Sequence, residues 1–190
     1  MRHKDDNKSE AIFHATIELL NEIGFSDISM SKIAKRANVS QATIYVYFES
    51  KEDLLGKIYV KVKQKMSLQL FQHLDETLPT RDAFEMVMRN MLRFMLDNES
   101  YFMFLEQFAA SPLIGKLCLE DTSSMFIPLF EQMEKGKRLG EIKPIETTFL
   151  LTYCYFPLAQ LAKSHFKGQY EASEDNLQNM IRMSWDAIKA

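Results

Sequence analysis

Residues 29–53 read SMSKIAKRANVSQATIYVYFESKED, and the spacing inside this stretch decides the fold. Ser29 stands where it can cap a helix whose Met30, Ile33, Ala34 and Ala37 share one face. Asn38 can take the left-handed conformation that stops this helix after about two turns. Ser40 caps a second helix, with Val39 before it and Ile44 at the fourth helical position arranged as a hydrophobic staple. Ser50 with Asp53 forms an acidic variant of the capping box for one more helix. Two short helices across a tight turn have the layout of a helix-turn-helix, whose second helix enters the major groove of duplex DNA.

Wheel geometry assigns the aromatic residues of that second helix. At about 100° per residue, Ile44 and Phe48 lie about 40° apart and define a buried stripe. Tyr45 and Tyr47 fall on its opposite shoulders, about 100° to one side and about 60° to the other, while Ala42, Thr43 and Val46 project away. A shoulder tyrosine packs its ring and extends its hydroxyl to a phosphate oxygen. The small outward residues let the backbone approach the base edges. Thr43 can hydrogen-bond there, the methyls of Ala42, Thr43 and Val46 can meet thymine methyls, and Gln41 can pair with adenine. Lys51 and the free amides opening the next helix offer a further anion site. An ordinary helical hairpin with half-buried shoulder aromatics fits the same spacing, so geometry alone leaves both readings open.

Upstream, Ile12, Thr16, Leu19, Leu20 and Ile23 have the spacing of one helical face, with Gly24 as a left-handed C-cap and Phe25 as its apolar contact. Downstream, Lys51 to about Leu74 reads as a long rod of roughly 35 Å. After Pro79 and Thr80 an amphipathic helix runs through Phe84, Val87, Met88, Met91, Leu92 and Met95, broken at Asp97 to Ser100. Tyr101 to Ala110 reads as a buried helix ending before Pro112, and Met125 to Lys135 as a helix ending at Gly136. One helix is predicted from near Pro144 to Gly168, bent at Pro157, and a last one capped by Ser173 with Leu177, Met180, Ile181, Ser184, Trp185 and Ile188 on one stripe. The 190 residues include only 6 glycines and 5 prolines against 12 methionines and 14 phenylalanines, which favours long helices and an all-α chain over a turn-rich β protein.

Residues 1–65 carry 11 Lys/Arg against 9 Asp/Glu, and residues 66–190 carry 12 against 17, so the modest basic excess lies in the first third. Arg2, His3 and Lys4 mix with Asp5 and Asp6 and precede no apolar run, unlike a secretory signal. Phe149 to Ala162 is too short and too interrupted to span a bilayer, and a cytoplasmic location is expected. Cys118 and Cys154 read as reduced, buried thiols. His3, His14, His73 and His165 are scattered without metal-ligand spacing, no phosphate loop or nucleophile elbow is present, and neither a cofactor nor an enzymatic role is indicated.

The stretch GFSDISMSKIAKRANVSQATIYVYFESKEDLL, residues 24–55, resembles the DNA-binding segment of the TetR family of bacterial transcriptional regulators. The matching features are the Gly-Phe turn, Ile33-Ala34 with Ala37, Val39-Ser40, Tyr45, Tyr47-Phe48, and Ser50-Lys51 before an acidic residue. The family often has glycine where this chain has Asn38 and Ala42. The resemblance implies phosphate contacts from Tyr45, Tyr47 and Lys51, and base contacts from Gln41, Ala42 and Thr43. It also implies a helix-turn-helix domain over residues 1–50 and a helical effector-binding and dimerisation domain over residues 51–190. The partners it implies are a palindromic double-stranded operator, a small-molecule effector and a second copy of the chain, with repression as the usual mode.

Within such a C-terminal domain, Phe149, Phe156, Leu177, Ile181 and Trp185 are candidates for the dimer interface, with Tyr153 beside the two phenylalanines, although stripes of this kind more often form the core of their own chain. Phe94, Tyr101, Phe104, Phe108, Met125 and Tyr153 are candidates for a pocket suited to a lipophilic or aromatic effector, although the same side chains could simply fill the interior. A rival reading keeps the fold and replaces DNA by protein contacts.

Overall fold

Side-chain caps set the helix boundaries in the N-terminal third. The computed structural model describes residues 2–75, 77–111 and 122–190, with side chains from residue 7 onward. α1 (Arg2–Asp27) begins well before Ile12, over polar residues that carry no apolar periodicity. Its path breaks at Gly24, where a φ of 74° and ψ of 175° suit a residue without a Cβ, and a last helical turn reaches Asp27. In α2 (Met30–Arg36) the Ser29 hydroxyl accepts from the Lys32 amide, as its spacing predicts. Asn38 takes a φ of 53°, the Asn38 amide donates to the Lys35 carbonyl, and the Val39 amide donates to the Ala34 carbonyl. That pair of bonds is a Schellman motif closed by asparagine.

α3 (Gln41–Tyr47) is capped by Ser40, which accepts from the Thr43 amide at 3.1 Å. Phe48 leaves the helix in an extended conformation yet keeps its side chain buried. α4 (Lys51–Leu70) starts at Ser50, whose hydroxyl accepts from the Asp53 amide at 3.0 Å. The Asp53 carboxylate reaches back to the Glu49 amide, one residue before the cap. α4 ends short of Leu74, at a length of about 30 Å.

The remaining helices are α5 (Thr80–Asp97), α6 (Glu99–Ala109), α7 (Ile127–Arg138), α8 (Thr147–Phe166) and α9 (Glu174–Ile188), with a 3-10 turn at Ser124–Phe126. Two expected boundaries are corrected. Gly136 does not end its helix: it is buried inside α7, where the side chains of Ile142 and Thr80 lie 2.6 Å from the position a Cβ would take. The chain turns instead at Gly140, with a φ of 70°. α8 starts after Pro144, because the Glu146 carboxylate caps it by accepting from the amides of Thr148 and Phe149. α8 continues through Pro157, and α9 is capped by Ser173 as expected. Cys154 is buried, which pushes its thiol up to about 12. Pro112 and Cys118 lie outside the described residues.

The chain forms two compact units. The first joins Met1–Gln64 with Asn98–Thr122. Ile12, Ile17, Leu20, Ile33, Ile44, Leu54, Leu55 and Ile58 are sealed in its interior with Phe102, Phe104 and Phe108 of α6. α6 is fastened to α1 by Asn21, which donates to the Ser100 carbonyl and accepts from Gln107. Tyr59 of α4 stacks on Phe108 with ring centroids 4.5 Å apart.

The second unit joins Lys65–Asp97 with Ser123–Ala190, and in it α5 packs against α7, α8 and α9. The buried Asn90 amide donates to the carbonyls of Leu70 and Gln72, holding the chain just past α4. Arg89 ties α5 to α9 through Glu174 and Gln178. An isolated antiparallel bridge between Ile142 and Lys189 fastens the C-terminal end. Among the described residues no helix is long and apolar enough to cross a membrane.

Candidate nucleic-acid interface

Burial along α3 follows the wheel. Ile44 is sealed and Phe48 is buried, whereas Gln41 and Ala42 are exposed and Thr43 is half-buried. Tyr45 is 50% exposed and Val46 78% exposed, and Tyr47 is half-buried on the opposite shoulder. Gln41, Ala42, Tyr45 and Val46 thus share the open side of α3, opposite the sealed Ile44. Thr43 has a second duty, because its hydroxyl shares a hydrogen bond of 2.8 Å with the cap Ser40. Its methyl and the remaining capacity of its oxygen are what it has for a base edge. Lys51 is half-buried in the first turn of α4, where the Asp53 amide is already capped by Ser50.

Two ion pairs outside the helix-capping pattern hold α3 and α2 in place. Lys57 lies one turn after Asp53, binds its carboxylate at 2.9 Å, and passes 5.5 Å from the centroid of the Phe48 ring. The Asp53 carboxyl is raised by burial, but hydrogen bonds from Lys57 and from the Glu49 amide outweigh this and hold it below its usual range. The four-residue separation of Asp53 and Lys57 was the available signal. Arg36 at the end of α2 forks onto Glu22 of α1, with one bond at 2.8 Å, and lies 3.6 Å from Glu18. The hydrogen bond to Arg36 lowers the Glu22 carboxyl. Nothing local in the sequence announces a pair fourteen residues apart.

The other candidate residues are dispersed. Tyr101, Phe104 and Phe108 belong to the first unit, and Phe94, Met125 and Tyr153 to the second. Phe94, Phe104 and Phe108 have no exposed surface; Phe104 packs on Phe108 at 5.6 Å, and Tyr101 sets its ring against Phe13 at 5.9 Å. Met125 is half-buried in the 3-10 turn. Tyr153, a candidate for both the pocket and the dimer face, is 52% exposed on α8 beside Phe149 at 63% and Phe156 at 62%. Leu177 and Ile181, candidates for the dimer interface, are buried within their own chain, and Trp185 packs on Phe84 at 5.5 Å with Arg81 over its ring. Intrachain packing claims the α9 stripe because α5 lies against it. No cluster of metal-ligating side chains occurs among the described residues.

A helix-turn-helix whose second helix is capped, clamped from behind and faced with small exposed side chains defines a DNA-binding transcriptional regulator. Residues 12–58 match the model of bacterial regulatory proteins of the tetR family, and residues 79–189 match a tetracyclin repressor-like C-terminal domain. The chain belongs to the TetR family. An HTH-type transcriptional regulator of Haemophilus influenzae is 29% identical over 189 residues, covering 100% of both chains. A solved TetR family transcription regulator from Marinobacter aquaeolei VT8 superposes with a TM-score of 0.90 at 28% identity, covering 100% of this chain and 99% of that one. The class D tetracycline repressor protein of Escherichia coli is 29% identical over 82 residues, 43% of this chain and 34% of its own length.

Proposed function

We propose that the protein is a ligand-responsive repressor that binds a palindromic operator as a homodimer in the cytoplasm and is released by a small lipophilic or aromatic effector. Residues 1–50 bind DNA, and residues 51–190 bind the effector and dimerise. The observation that carries the reading is the outer face of α3, with Gln41, Ala42, Tyr45 and Val46 all exposed on a helix whose other side is sealed. Gln41, Ala42 and Thr43 meet base edges, while Tyr45, Tyr47 and Lys51 bind phosphates. The names of relatives, a tetracycline repressor among them, favour repression.

Phe149 and Phe156, with Tyr153 between them, form the dimer face on α8. Apolar area of that kind is seldom left to water without a partner. In a two-fold dimer the recognition helices must meet successive major grooves about 34 Å apart. α4 begins at the caps beside α3 and continues into the second unit, so an effector that prefers one tilt of α4 changes that separation.

The test is fluorescence-anisotropy titration of the full chain against duplex DNA from upstream of its own gene. Tyr45→Ala and Lys51→Ala are each expected to weaken binding by about five- to tenfold on any sequence, with Lys51→Ala also lowering the salt slope by about one. Parent-like binding by both variants would remove these residues from the interface. A candidate effector is then added to the complex, and unchanged operator affinity at saturation eliminates that compound.

A further inference from the structure

We propose that the groove between the residues following α4 and the outer side of α7 is a binding site for a lipophilic primary ammonium ion, an aryl or alkyl chain ending in a charged amine. The groove has a volume of about 1120 Å³, room for a drug-sized molecule, and Phe71, Leu74, Ile127, Phe130, Glu131 and Gln132 line it. Ile127 and Phe130 are exposed there, and Phe71 meets Phe126 edge to face at 6.2 Å, so the walls offer uncovered aliphatic and aromatic surface. The polar observation is Gln132, whose side-chain oxygen is buried with no hydrogen-bond partner. Buried acceptors are rarely left without a donor, and a ligand N–H supplies one.

Charge decides between an amine and an acid. Glu131, next to Gln132, adds an exposed carboxylate to the groove. Of the other charged groups of the lining, Glu134 and Lys135 are bonded within the chain, and Arg138 lies two helical turns, roughly 10 Å, along α7 from Glu131. Glu134 binds Lys137 at 2.8 Å and accepts from Thr147. Lys135 donates to the Leu78 carbonyl at 3.1 Å. Arg138 sits in the last turn of α7, where it complements the helix dipole and acts on Glu134. The exposed Glu131 carboxylate and the faces of the phenylalanines attract an ammonium ion, whose N–H can satisfy the buried Gln132 oxygen once that side chain turns to meet it.

Phe71 and Leu74 follow directly on α4, so a ligand held there acts on the end of the helix whose beginning carries the caps beside α3. Action as the effector rests on the ligand-responsive reading above; binding itself does not.

Isothermal titration of the full chain with 4-phenylbutylamine, and with 4-phenylbutyrate as the same skeleton carrying the opposite charge, tests the site. The amine is expected to bind saturably, and the acid at least about tenfold more weakly. Glu131→Gln and Gln132→Leu should each weaken the amine by at least about fivefold while melting like the parent; Glu131 is exposed, so its replacement leaves the fold intact. No saturable amine binding, an acid that binds as well as the amine, or parent-like affinity in Glu131→Gln would overturn the assignment. Adding the amine to the operator complex separates the two ideas. If the amine binds as described and operator affinity does not change, the groove stands as a binding site and this amine is eliminated as the effector.

Discussion

Val46 and Ile44 are two residues apart on α3, and one is 78% exposed while the other is sealed. Their contrast was legible in the sequence because a 100° step leaves no freedom once Ile44 is placed inside. The clamp behind them was only half legible. Asp53 and Lys57 announce themselves by spacing, whereas Glu22 and Arg36 meet because α2 folds back across α1, and no local pattern encodes that meeting. The lowered Asp53 carboxyl has a consequence for acid stability. The unfolded chain takes up this proton near pH 4, and the folded chain takes it up only at lower pH, so the contribution of Asp53 is complete above about pH 4 and is lost as pH falls through the folded value. Thermal melts of the parent should show a loss of stability as pH falls below about 4, and Asp53→Asn should reduce that loss. An identical acid dependence in the variant would show that the carboxylate does not carry it.

α7 teaches the opposite lesson about a glycine. In isolation Gly136 reads as a helix terminator, yet it lies in mid-helix because Ile142 and Thr80 need the space of its missing side chain. Close approach and chain reversal both favour glycine, and only the tertiary neighbours tell them apart. Gly136→Ala therefore sets a helix-propensity gain of about 1 kcal/mol against overpacking of about 1–3 kcal/mol. The expected net loss is about 1 kcal/mol, a fall in Tm of roughly 2–4 °C, read by calorimetry. A rise in Tm would show that Ile142 and Thr80 yield freely. Helix starts marked by serine were the most legible boundaries: Ser29, Ser40, Ser50 and Ser173 all cap where their spacing places them, whereas the start of α8 at the Glu146 cap was not legible. An N-cap is a one-residue chemical signal, whereas a helix end also depends on what the following chain packs against.

At the scale of the molecule, the helical class and the helix-turn-helix were legible, but the assignment of aromatic residues to inside and outside in the second half was not. Phe149, Tyr153 and Phe156 repeat at the helical spacing that core aromatics also show, and only the packing of α8 in the folded chain leaves them outside. The membership of α6 in the first unit was equally hidden, since it depends on contacts such as Asn21 with Ser100, nearly eighty positions apart. If α8 carries the dimer face, Phe156→Glu should convert the protein to monomers in sedimentation velocity without changing its helical content, and should weaken operator binding as the second half-site contact is lost. A Phe156→Glu protein that sediments as the parent does would place the interface elsewhere.

The central claim is that the outer face of α3 enters a major groove, and Val46→Glu tests it most directly, because a side chain 78% exposed can be replaced without disturbing the core. Titrated by fluorescence anisotropy against duplex from upstream of its own gene, the parent should bind, and the variant, with an unchanged circular dichroism spectrum and Tm, should lose at least about a hundredfold in affinity as its carboxylate meets base edges and phosphates. A Val46→Glu protein that binds the duplex as tightly as the parent would contradict the account.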